Sequence, residues 1–333
     1  MQRVSVALCT FNGGRFVAEQ LRSILAQGDV VGEVIVADDG SSDDTVARVR
    51  AVADQAIVDG SRTEFRFLAG GGFGVAANFA RALAACRFDL IALADQDDVW
   101  RADKVARMVG EFDRRPGLLL LHTDARLVDA DGLPTGRFLL GTLELAAVDA
   151  AAIHGGEAFT VLLRRNLATG ATSMIRRELL ASALPFPPAW VHDEWLAMIG
   201  SAIGDVDFIP DPLVDYRQHG GNQIGVRVPT LGVKLRRALE DRGSRNRALD
   251  LRAGNLVERL HLLGPKVAES KTSAAEGKAA FEALRAQLPT SRIRRVAPII
   301  RAAQGKAYSR FASQGKLDIV RDLLQPASQK ETP

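Results

Sequence analysis

Three carboxylates follow directly on the apolar run Leu90 to Ala94: Asp95, Asp97 and Asp98, in the segment LIALADQDDVWR. The D-x-D spacing of Asp95 and Asp97 allows two carboxylates to converge on one hard cation and on the phosphates that such a cation holds. A solvated acidic turn is the alternative. The three residues alone do not decide between these two interpretations.

Two later stretches carry side chains suited to catalysis or ligand binding. Asp193 lies at the start of an apolar helical segment between Trp190 and Trp195. Partial desolvation there would raise the pKa of a carboxylate toward the range of a general base, although an ordinary helix cap is equally compatible. His219 stands in a loop after Arg217 and before two glycines, which favours a ligand or phosphate contact over core packing.

The elements around the first acids predict a parallel sheet. The apolar run 90–94 is expected to be a buried central strand, because helical patterns flank it on both sides. Val4 to Leu8 and Glu33 to Ala37 are predicted as earlier strands, the first followed by a glycine turn and an amphipathic helix. Asp38 and Asp39 end the second of these strands, where ligands bind in open α/β sheets. Both are placed to hydrogen-bond a base or ribose.

A third strand is predicted at 65–68, followed by the glycine run 70–74 and a helix from about 75 to 85. Asn78, near the start of that helix, either faces the ligand or is solvated. The chain contains neither the G-x-G-x-x-G loop nor the G-x-x-x-x-G-K-[ST] loop, which argues against a dehydrogenase or a P-loop enzyme. With a helix at about 102–114 and a strand at 118–122, a right-handed, doubly wound nucleotide-binding half is predicted for residues 1–122.

The remaining segments are predicted from their periodicity. Loops and short strands are expected at 123–158, a strand at 170–175, a helix at 177–183, and two further strands at 206–209 and 213–216. Beyond residue 225, helical patterns cover 231–239, 250–263, 274–288, 293–312 and 317–324.

Composition sets the broader limits. The 333 residues are 47% hydrophobic and 25% charged, which is typical of a globular protein. No run reaches the roughly 18 apolar residues of a membrane span, no secretory signal is expected at the start, and two cysteines favour a reducing cytoplasm. Residues 1–226 carry 21 Lys and Arg against 30 Asp and Glu, whereas residues 227–333 carry 22 against 10. The basic second part favours a polyanionic partner, either nucleic acid or an anionic membrane surface.

Seven segments together resemble the family 2 glycosyltransferases of the GT-A fold, over about residues 3 to 226. They are ALCTFNGGRFVAEQLRSILAQ, VIVADDGSSDDT, GVAANFARAL, LIALADQDDVW, GATSMIRREL, HDEWLA and YRQHGGNQIG. The segments DQDDVW, HDEWLA and YRQHGGNQIG look closest to bacterial rhamnosyltransferases that build cell-wall or surface polysaccharides. The resemblance implies a doubly wound mixed sheet at 1–226, with an acceptor-side half at 123–226 and a basic helical region at 227–333.

The resemblance also implies roles for individual residues. The base and ribose of a nucleotide sugar would be bound by Thr10, Asn12, Asp39, Asn78, Asp95 and Gln96. A Mn²⁺ or Mg²⁺ ion against the diphosphate would be held by Asp97, with help from His219. Asp193 corresponds to the catalytic base, usually the second acid of a Glu-Asp pair; because His192 replaces the first acid here, Glu194 is the second choice.

The implied reaction is an inverting sugar transfer from a nucleotide donor. The expected donor is dTDP-L-rhamnose, with a UDP-hexose as the second choice, and the expected acceptor is a lipid-linked saccharide at the cytoplasmic face of the cell membrane. The basic region would then contact the membrane surface; a solvated appendage or an oligomer contact is the alternative. From other classes, a nucleic-acid-binding protein and a sugar nucleotidyltransferase remain, although the former lacks a known module and the latter lacks its basic glycine-rich loop.

Overall fold

The computed structural model describes residues 2–219 and 242–325. The chain divides into two compact units. The first consists of residues 1–158 and 167–226, and the second of residues 159–166 and 227–333. No pattern in the sequence of residues 159–166 indicates that they belong with the second unit.

The first unit is built on one mixed sheet, which among the described residues has nine strands in the order β3-β2-β1-β4-β8-β6-β9-β5, with β7 paired to β6. Their bounds are β1 Val4–Thr10, β2 Val31–Asp38, β3 Glu64–Leu68, β4 Leu90–Asp95, β5 Val99–Trp100, β6 Leu118–Val128, β7 Pro134–Phe138, β8 Met174–Arg176 and β9 Asp205–Arg217. The α/β sheet predicted from the sequence is therefore present.

Helices of the first unit connect these strands. Their bounds are α1 Val17–Leu25, α2 Thr45–Val58, α3 Val75–Ala85, α4 Lys104–Arg114, α5 Leu139–Thr142, α6 Ala147–Ala152, α7 Ala158–Leu162, α8 Leu180–Ala183 and α9 His192–Ile203. Of α7, only Ala158 is assigned to the first unit, and residues 159–162 are assigned to the second. Short 3₁₀ turns lie at 28–30, 170–172 and 177–179, and a π-helical turn joins α6 to α7.

The strands β1, β2 and β4 form the buried centre that positions the site. All seven residues of β1 are buried, and β1 pairs in parallel with β2 on one side and β4 on the other. Because the register aligns Thr10 with Asp38 and Cys9 with Asp95, the polar residues that end these strands lie at one edge of the sheet. This edge is where ligands bind in open α/β sheets.

Two sequence expectations about strands differ from the structure. The segments 206–209 and 213–216 belong to one long strand, β9, rather than two. Pro210 and Pro212 lie within this strand and are accommodated by irregular register against Thr123 and Asp124 of β6, since a proline supplies no ladder hydrogen bond. The predicted strand at 170–175 is confined to β8, and a 3₁₀ turn precedes it.

The described part of the second unit is helical. Beyond the segment 159–166, its helices are α10 Arg242–Leu263, α11 Glu269–Ala286, α12 Arg292–Gln304, α13 Ala307–Phe311 and α14 Lys316–Leu324. The helix expected at 293–312 is divided between α12 and α13, because Lys306 takes a left-handed conformation with φ of 61°. The helix expected at 231–239 lies outside the described residues. None of the helices in the described ranges combines the length and the apolar character that crossing a bilayer requires.

Ionic groups occupy the interior of the second unit. The Arg285 guanidinium donates through Nε to Asp322 at 2.7 Å and through Nη1 to Glu282 at 3.0 Å, and all three side chains are at most 1% exposed. The Tyr308 hydroxyl donates to the same Asp322 carboxylate at 2.8 Å. Asp318, fully buried, also lies 3.8 Å from the Arg285 guanidinium. The packing of α11 against α14 therefore depends on charge pairing as well as on apolar contact.

Replacing Asp322 with alanine is expected to destabilise the second unit by about 3–5 kcal/mol, because Arg285 would keep a buried charge without its main partner. Hydrogen exchange should accelerate in α11 and α14, while β1 and β4 remain protected. Glu269→Ala, which removes an exposed acid on α11, is the control. Equal protection in the two variants would contradict a structural role for this ion pair.

Candidate active site

A cleft of about 600 Å³ opens at the carboxyl ends of β1, β2 and β4, and this volume lies within the usual range for small-molecule sites. Of the ten residues assigned from the sequence, nine line it and Glu194 does not: Thr10, Asn12, Asp39, Asn78, Asp95, Gln96, Asp97, Asp193 and His219. All nine belong to the first unit. Segments distant in the sequence thus contribute to one concave surface.

The turn after β1 forms one wall of the cleft. The Thr10 hydroxyl donates to Asp38 at 2.8 Å, and Asn12 accepts the backbone N–H of Ser42 through its side-chain oxygen at 2.9 Å. Asn12 has a φ of 48°, a left-handed conformation that asparagine tolerates better than most residues. Both side chains therefore fix the first turn against the turn that follows β2.

Asp39 holds the glycine-rich loop. Its carboxylate accepts the backbone N–H groups of Phe73 and Gly74 at 2.7 and 2.8 Å, and the side chain is only 8% exposed. Gly70 approaches the strand end so closely that an added Cβ would lie 1.9 Å from the Asp38 carbonyl oxygen. Two of the acceptor positions of the Asp39 carboxylate are therefore occupied, and Asp39 also lines the cleft.

Asn78 is not solvated. It is 2% exposed, and its side-chain amide donates to the carbonyl of Ala37 at 2.7 Å. The residue therefore supports the end of β2 while it contributes to the cleft lining. The sequence left open whether Asn78 faces a ligand or is solvated, and the structure places it in the lining of the cleft.

Gln96 lies between Asp95 and Asp97 in the turn after β4, which we call the acidic turn, and connects it to the turn after β1. Its side-chain carbonyl accepts the Phe11 N–H at 2.8 Å, and its amide donates to the Phe11 carbonyl at 3.0 Å. The Gln96 side chain occupies the space beside Gly13, where an added Cβ would meet it at 2.0 Å. The glycine turn is thus required for close packing against Gln96.

Three of the carboxylates that line the cleft, those of Asp95, Asp97 and Asp193, interact electrostatically. Burial, and after it the negative charges of Asp97 and Asp193, raise the pKa of Asp95 to about 7. Such mutual effects require that the groups be close. The end of β4 and the start of α9 therefore bring acids that are almost a hundred positions apart into one electrostatic environment.

Asp97 is paired with His219. The His219 Nε2 lies 2.8 Å from an Asp97 carboxylate oxygen, and the two side chains are 17% and 13% exposed. The ring of Phe16 lies against the imidazole, with 4.8 Å between centroids. A loop residue more than 120 positions later in the chain thus meets the second acid of the D-x-D segment.

The donor chemistry of this pair fits a divalent cation. One carboxylate oxygen and one imidazole nitrogen suit Mn²⁺, and a carboxylate suits Mg²⁺. Within residues 2–219 and 242–325, no group of three or more His, Cys, Asp or Glu side chains is arranged to hold a metal ion. The pair supplies two donor atoms of the kinds that such a cation binds.

Asp193 occupies the first turn of α9. Its carboxylate accepts the backbone N–H of Gly170 at 2.8 Å and that of Glu194 at 2.7 Å. These two bonds fix the orientation of the carboxylate at the start of the helix. Because Asp193 is placed at the cleft and Glu194 is not among its lining residues, the geometry favours Asp193 of the two candidates for the base.

His192, immediately before Asp193, is a further cleft residue to which the sequence assigned no role. It is 4% exposed and stacks on Phe79 with 3.9 Å between ring centroids, and burial lowers its pKa. Neither ring nitrogen has a hydrogen-bond partner within the described part of the chain. Only its position beside Asp193 could have indicated a place in the cleft.

Two buried cations support the acidic turn, and sequence reasoning did not identify either. Arg217 is 3% exposed; its backbone N–H donates to Asp98 at 3.0 Å, and its guanidinium donates to the Asp97 carbonyl at 2.8 Å. Lys104 is fully buried, with Nζ 3.6 Å from the centre of the Trp100 ring. Burial lowers the pKa of Lys104 to about 7, although Asp98 and Asp95 oppose that shift. In the sequence, both look like ordinary surface cations.

The chain is similar to known glycosyltransferases. The family model described as "Glycosyl transferase family 2" matches residues 5–181. An uncharacterized glycosyltransferase of Nostoc is 26% identical over 232 residues, 66% of each chain. A dTDP-rhamnosyl transferase of Shigella flexneri is 26% identical over 239 residues, 66% of this chain and 74% of that one. The first curated relatives are matched over only 59 to 66% of their own lengths.

Solved structures with the same fold were also found. Staphylococcus aureus TarS, residues 1–349 in complex with UDP-GlcNAc, has a TM-score of 0.56 at 15% identity, covering 96% of this chain and 89% of that one. A mannosyltransferase of Pyrobaculum calidifontis in complex with GDP-Man and Mn²⁺ has a TM-score of 0.54 at 18% identity, covering 96% and 86%. These similarities confirm the predicted fold class, a GT-A fold followed by C-terminal helices.

Replacing Asp39 with asparagine is expected to loosen the glycine-rich loop. An amide NH₂ in place of one carboxylate oxygen would face a backbone N–H, so one of two charge-assisted bonds, worth about 1.5–3 kcal/mol, is lost. Hydrogen exchange at residues 70–74 should accelerate, with the β1 amides unchanged. Asp44→Asn, which alters an exposed acid paired with Arg48, is the control, and an unchanged loop in Asp39→Asn would contradict this assignment.

Proposed function

Because this chain belongs to glycosyl transferase family 2, we propose that it transfers a sugar from a nucleotide donor to a saccharide acceptor with inversion at the anomeric carbon. The observation that carries the proposal is the presence of Asp39, Asp97 and Asp193 on one cleft. One acid is suited to the nucleotide, one to a cation and one to proton transfer. These are the three tasks that the reaction requires.

The nucleotide end of the donor is proposed to bind at the turns after β1 and β2. Asp39 would accept an N–H group of a pyrimidine ring with the acceptor positions that Phe73 and Gly74 leave open. Thr10 and Asn12 would line the base pocket, and Asp95 and Gln96 would lie beside the ribose. Asn78 would help to keep the end of β2 in place.

Asp97 and His219 are proposed to hold Mn²⁺ or Mg²⁺ at the diphosphate. A bound cation would neutralise the negative charge that develops on the departing diphosphate. The Asp97 carboxylate and the His219 ring already face each other at 2.8 Å, so the two donors need little rearrangement. Phe16, packed on the imidazole, would orient the ring.

Asp193 is proposed to act as the general base. The acceptor hydroxyl oxygen bonds to the anomeric carbon, while its proton passes to the Asp193 carboxylate. The bond between the anomeric carbon and the phosphate oxygen breaks, and its electron pair leaves with the nucleoside diphosphate. Gly170 and Glu194 hold the carboxylate through their backbone N–H groups, which orients it for this step.

The proposed donor is dTDP-L-rhamnose, and a UDP-hexose is the alternative. The similarity to the Shigella dTDP-rhamnosyl transferase supports the first choice. The proposed acceptor is a lipid-linked saccharide of cell-wall or surface polysaccharide synthesis, met at the cytoplasmic face of the membrane. Incubating the protein with a panel of nucleotide sugars and Mn²⁺, and measuring slow hydrolysis of each donor, would identify the donor class. Absence of hydrolysis with every donor, together with absence of nucleotide binding, would contradict the proposal.

Asp193→Asn is expected to lower turnover by about 10²- to 10⁴-fold, because the acceptor loses its general base. The affinity for the donor should change little, since the role proposed for Asp193 concerns the acceptor hydroxyl and not a contact with the nucleotide. Steady-state rates and donor titration measure the two effects separately. Glu194→Gln is the matched control and should keep a rate close to that of the unmodified enzyme. If Glu194→Gln were inactive and Asp193→Asn active, Glu194 would be the base.

Asp97→Ala is expected to abolish the part of nucleotide binding that depends on the cation, a loss of about tenfold or more in affinity. Calorimetry of UDP and dTDP with and without Mn²⁺ measures this part directly. Asp103→Ala, which removes a half-exposed acid close in the same segment, should retain the Mn²⁺ effect. An undiminished Mn²⁺ effect in Asp97→Ala would exclude Asp97 as a ligand.

A further inference from the structure

Helix α12 of the second unit carries an exposed apolar stripe. Ile293, Val296 and Ile300 are 86%, 41% and 48% exposed, and their spacing places them on one side of the helix. Arg295 and Ile299, both 1% exposed, lie on the opposite side. The stripe therefore faces away from the interior of the unit.

Helix α14 repeats this arrangement. Leu317, Val320 and Leu324 are 62%, 50% and 59% exposed at the same spacing, whereas Asp318 and Asp322 are fully buried. The two helices are neighbours, because Arg295 of α12 donates to the carbonyl oxygens of Asp322 and Gln325 at the end of α14, at 3.3 and 2.7 Å. We refer to the six aliphatic residues as the aliphatic face.

The exposed charges of the segment that carries this face, residues 288–325, have one sign. Between residues 288 and 325 the only acids are Asp318 and Asp322, and both are buried. The exposed charged residues of the same segment are Arg292, Arg294, Arg301, Lys306, Arg310 and Lys316. Arg292, Arg294 and Arg301 belong to α12 itself, so the apolar stripe is bordered by cations.

Single exposed apolar residues are common on protein surfaces, but six at helical spacing on two adjacent helices require a partner. A second copy docked through the same face would place like charges opposite each other, which is unfavourable. Single-stranded nucleic acid would favour aromatic side chains for stacking, and the aliphatic face has none. An aliphatic surface bordered by Lys and Arg is instead the composition of helices that lie in the plane of an anionic membrane.

We propose that the aliphatic face binds the surface of an anionic lipid bilayer. The six aliphatic side chains enter the boundary between headgroups and acyl chains, and the surrounding Arg and Lys residues pair with lipid phosphates. This proposal concerns the second unit and does not depend on the chemistry at the cleft. If the proposed function is also correct, binding at a bilayer would raise the local concentration of a lipid-linked acceptor.

Flotation of the full chain with vesicles tests the proposal. Vesicles of equal parts phosphatidylglycerol and phosphatidylcholine should bind the protein at low salt, with weaker binding at high salt and on phosphatidylcholine alone. The double variant Ile293→Ser, Leu317→Ser should reduce the partition coefficient by roughly tenfold to a hundredfold. The matched control Leu251→Ser, Leu262→Ser removes two aliphatic residues of α10 that are 59% and 77% exposed, and should bind as the unmodified chain does.

Three outcomes would overturn the proposal. The first is that the protein does not bind anionic vesicles, and the second is that the Ile293/Leu317 variant binds as well as its control. The third is self-association of the chain that the Ile293/Leu317 variant abolishes, which would identify a second copy as the partner. Circular dichroism verifies that both double variants are folded. Donor hydrolysis should be the same in all three proteins, so failure of the membrane proposal can be distinguished from failure of the proposed function.

Discussion

Repulsion among carboxylates in one cleft is the interaction on which the rest of the site depends. Asp39 and Asp193 each receive two backbone N–H groups, and Asp97 is paired with an imidazole. Burial, and after it the negative charges of Asp97 and Asp193, raise the pKa of Asp95 to about 7. A cleft with several carboxylates attracts a cation. A bound cation would reduce the electrostatic repulsion between these carboxylates and a diphosphate.

Hydrogen bonds from neighbouring helices and strands hold the segment that carries these carboxylates in place. Gln20, fully buried, donates to the Asp95 carbonyl at 2.9 Å, and Ser23 accepts the Trp100 N–H at 3.0 Å. Arg217 and Lys104 lie on the other side of the same turn. Because α1, β9 and α4 each contribute a contact, the acids cannot separate without disturbing the core.

The sequence could predict those strands of the sheet that are recognisable from short segments of the chain. The strands β1, β2 and β4 follow from apolar runs that end in polar residues, and the candidate site residues at their ends were chosen for the same reason. The position of β8, antiparallel between β4 and β6, depends on pairing between distant segments, which no local pattern specifies. The same limit applies to Lys104 and Arg217, since burial of a cation depends on partners distant in the sequence.

In the second unit, the burial of acids has consequences at the surface. A helix containing Asp318 and Asp322 would be expected to expose them, because carboxylates are rarely buried unless paired. Arg285 and Tyr308 provide that pairing, so the acids add no negative charge to the surface near α12 and α14. The ion pairs that determine how α11 packs against α14 thus also leave Lys and Arg as the exposed charges of the segment 288–325. Stability and surface charge in this segment have a common origin.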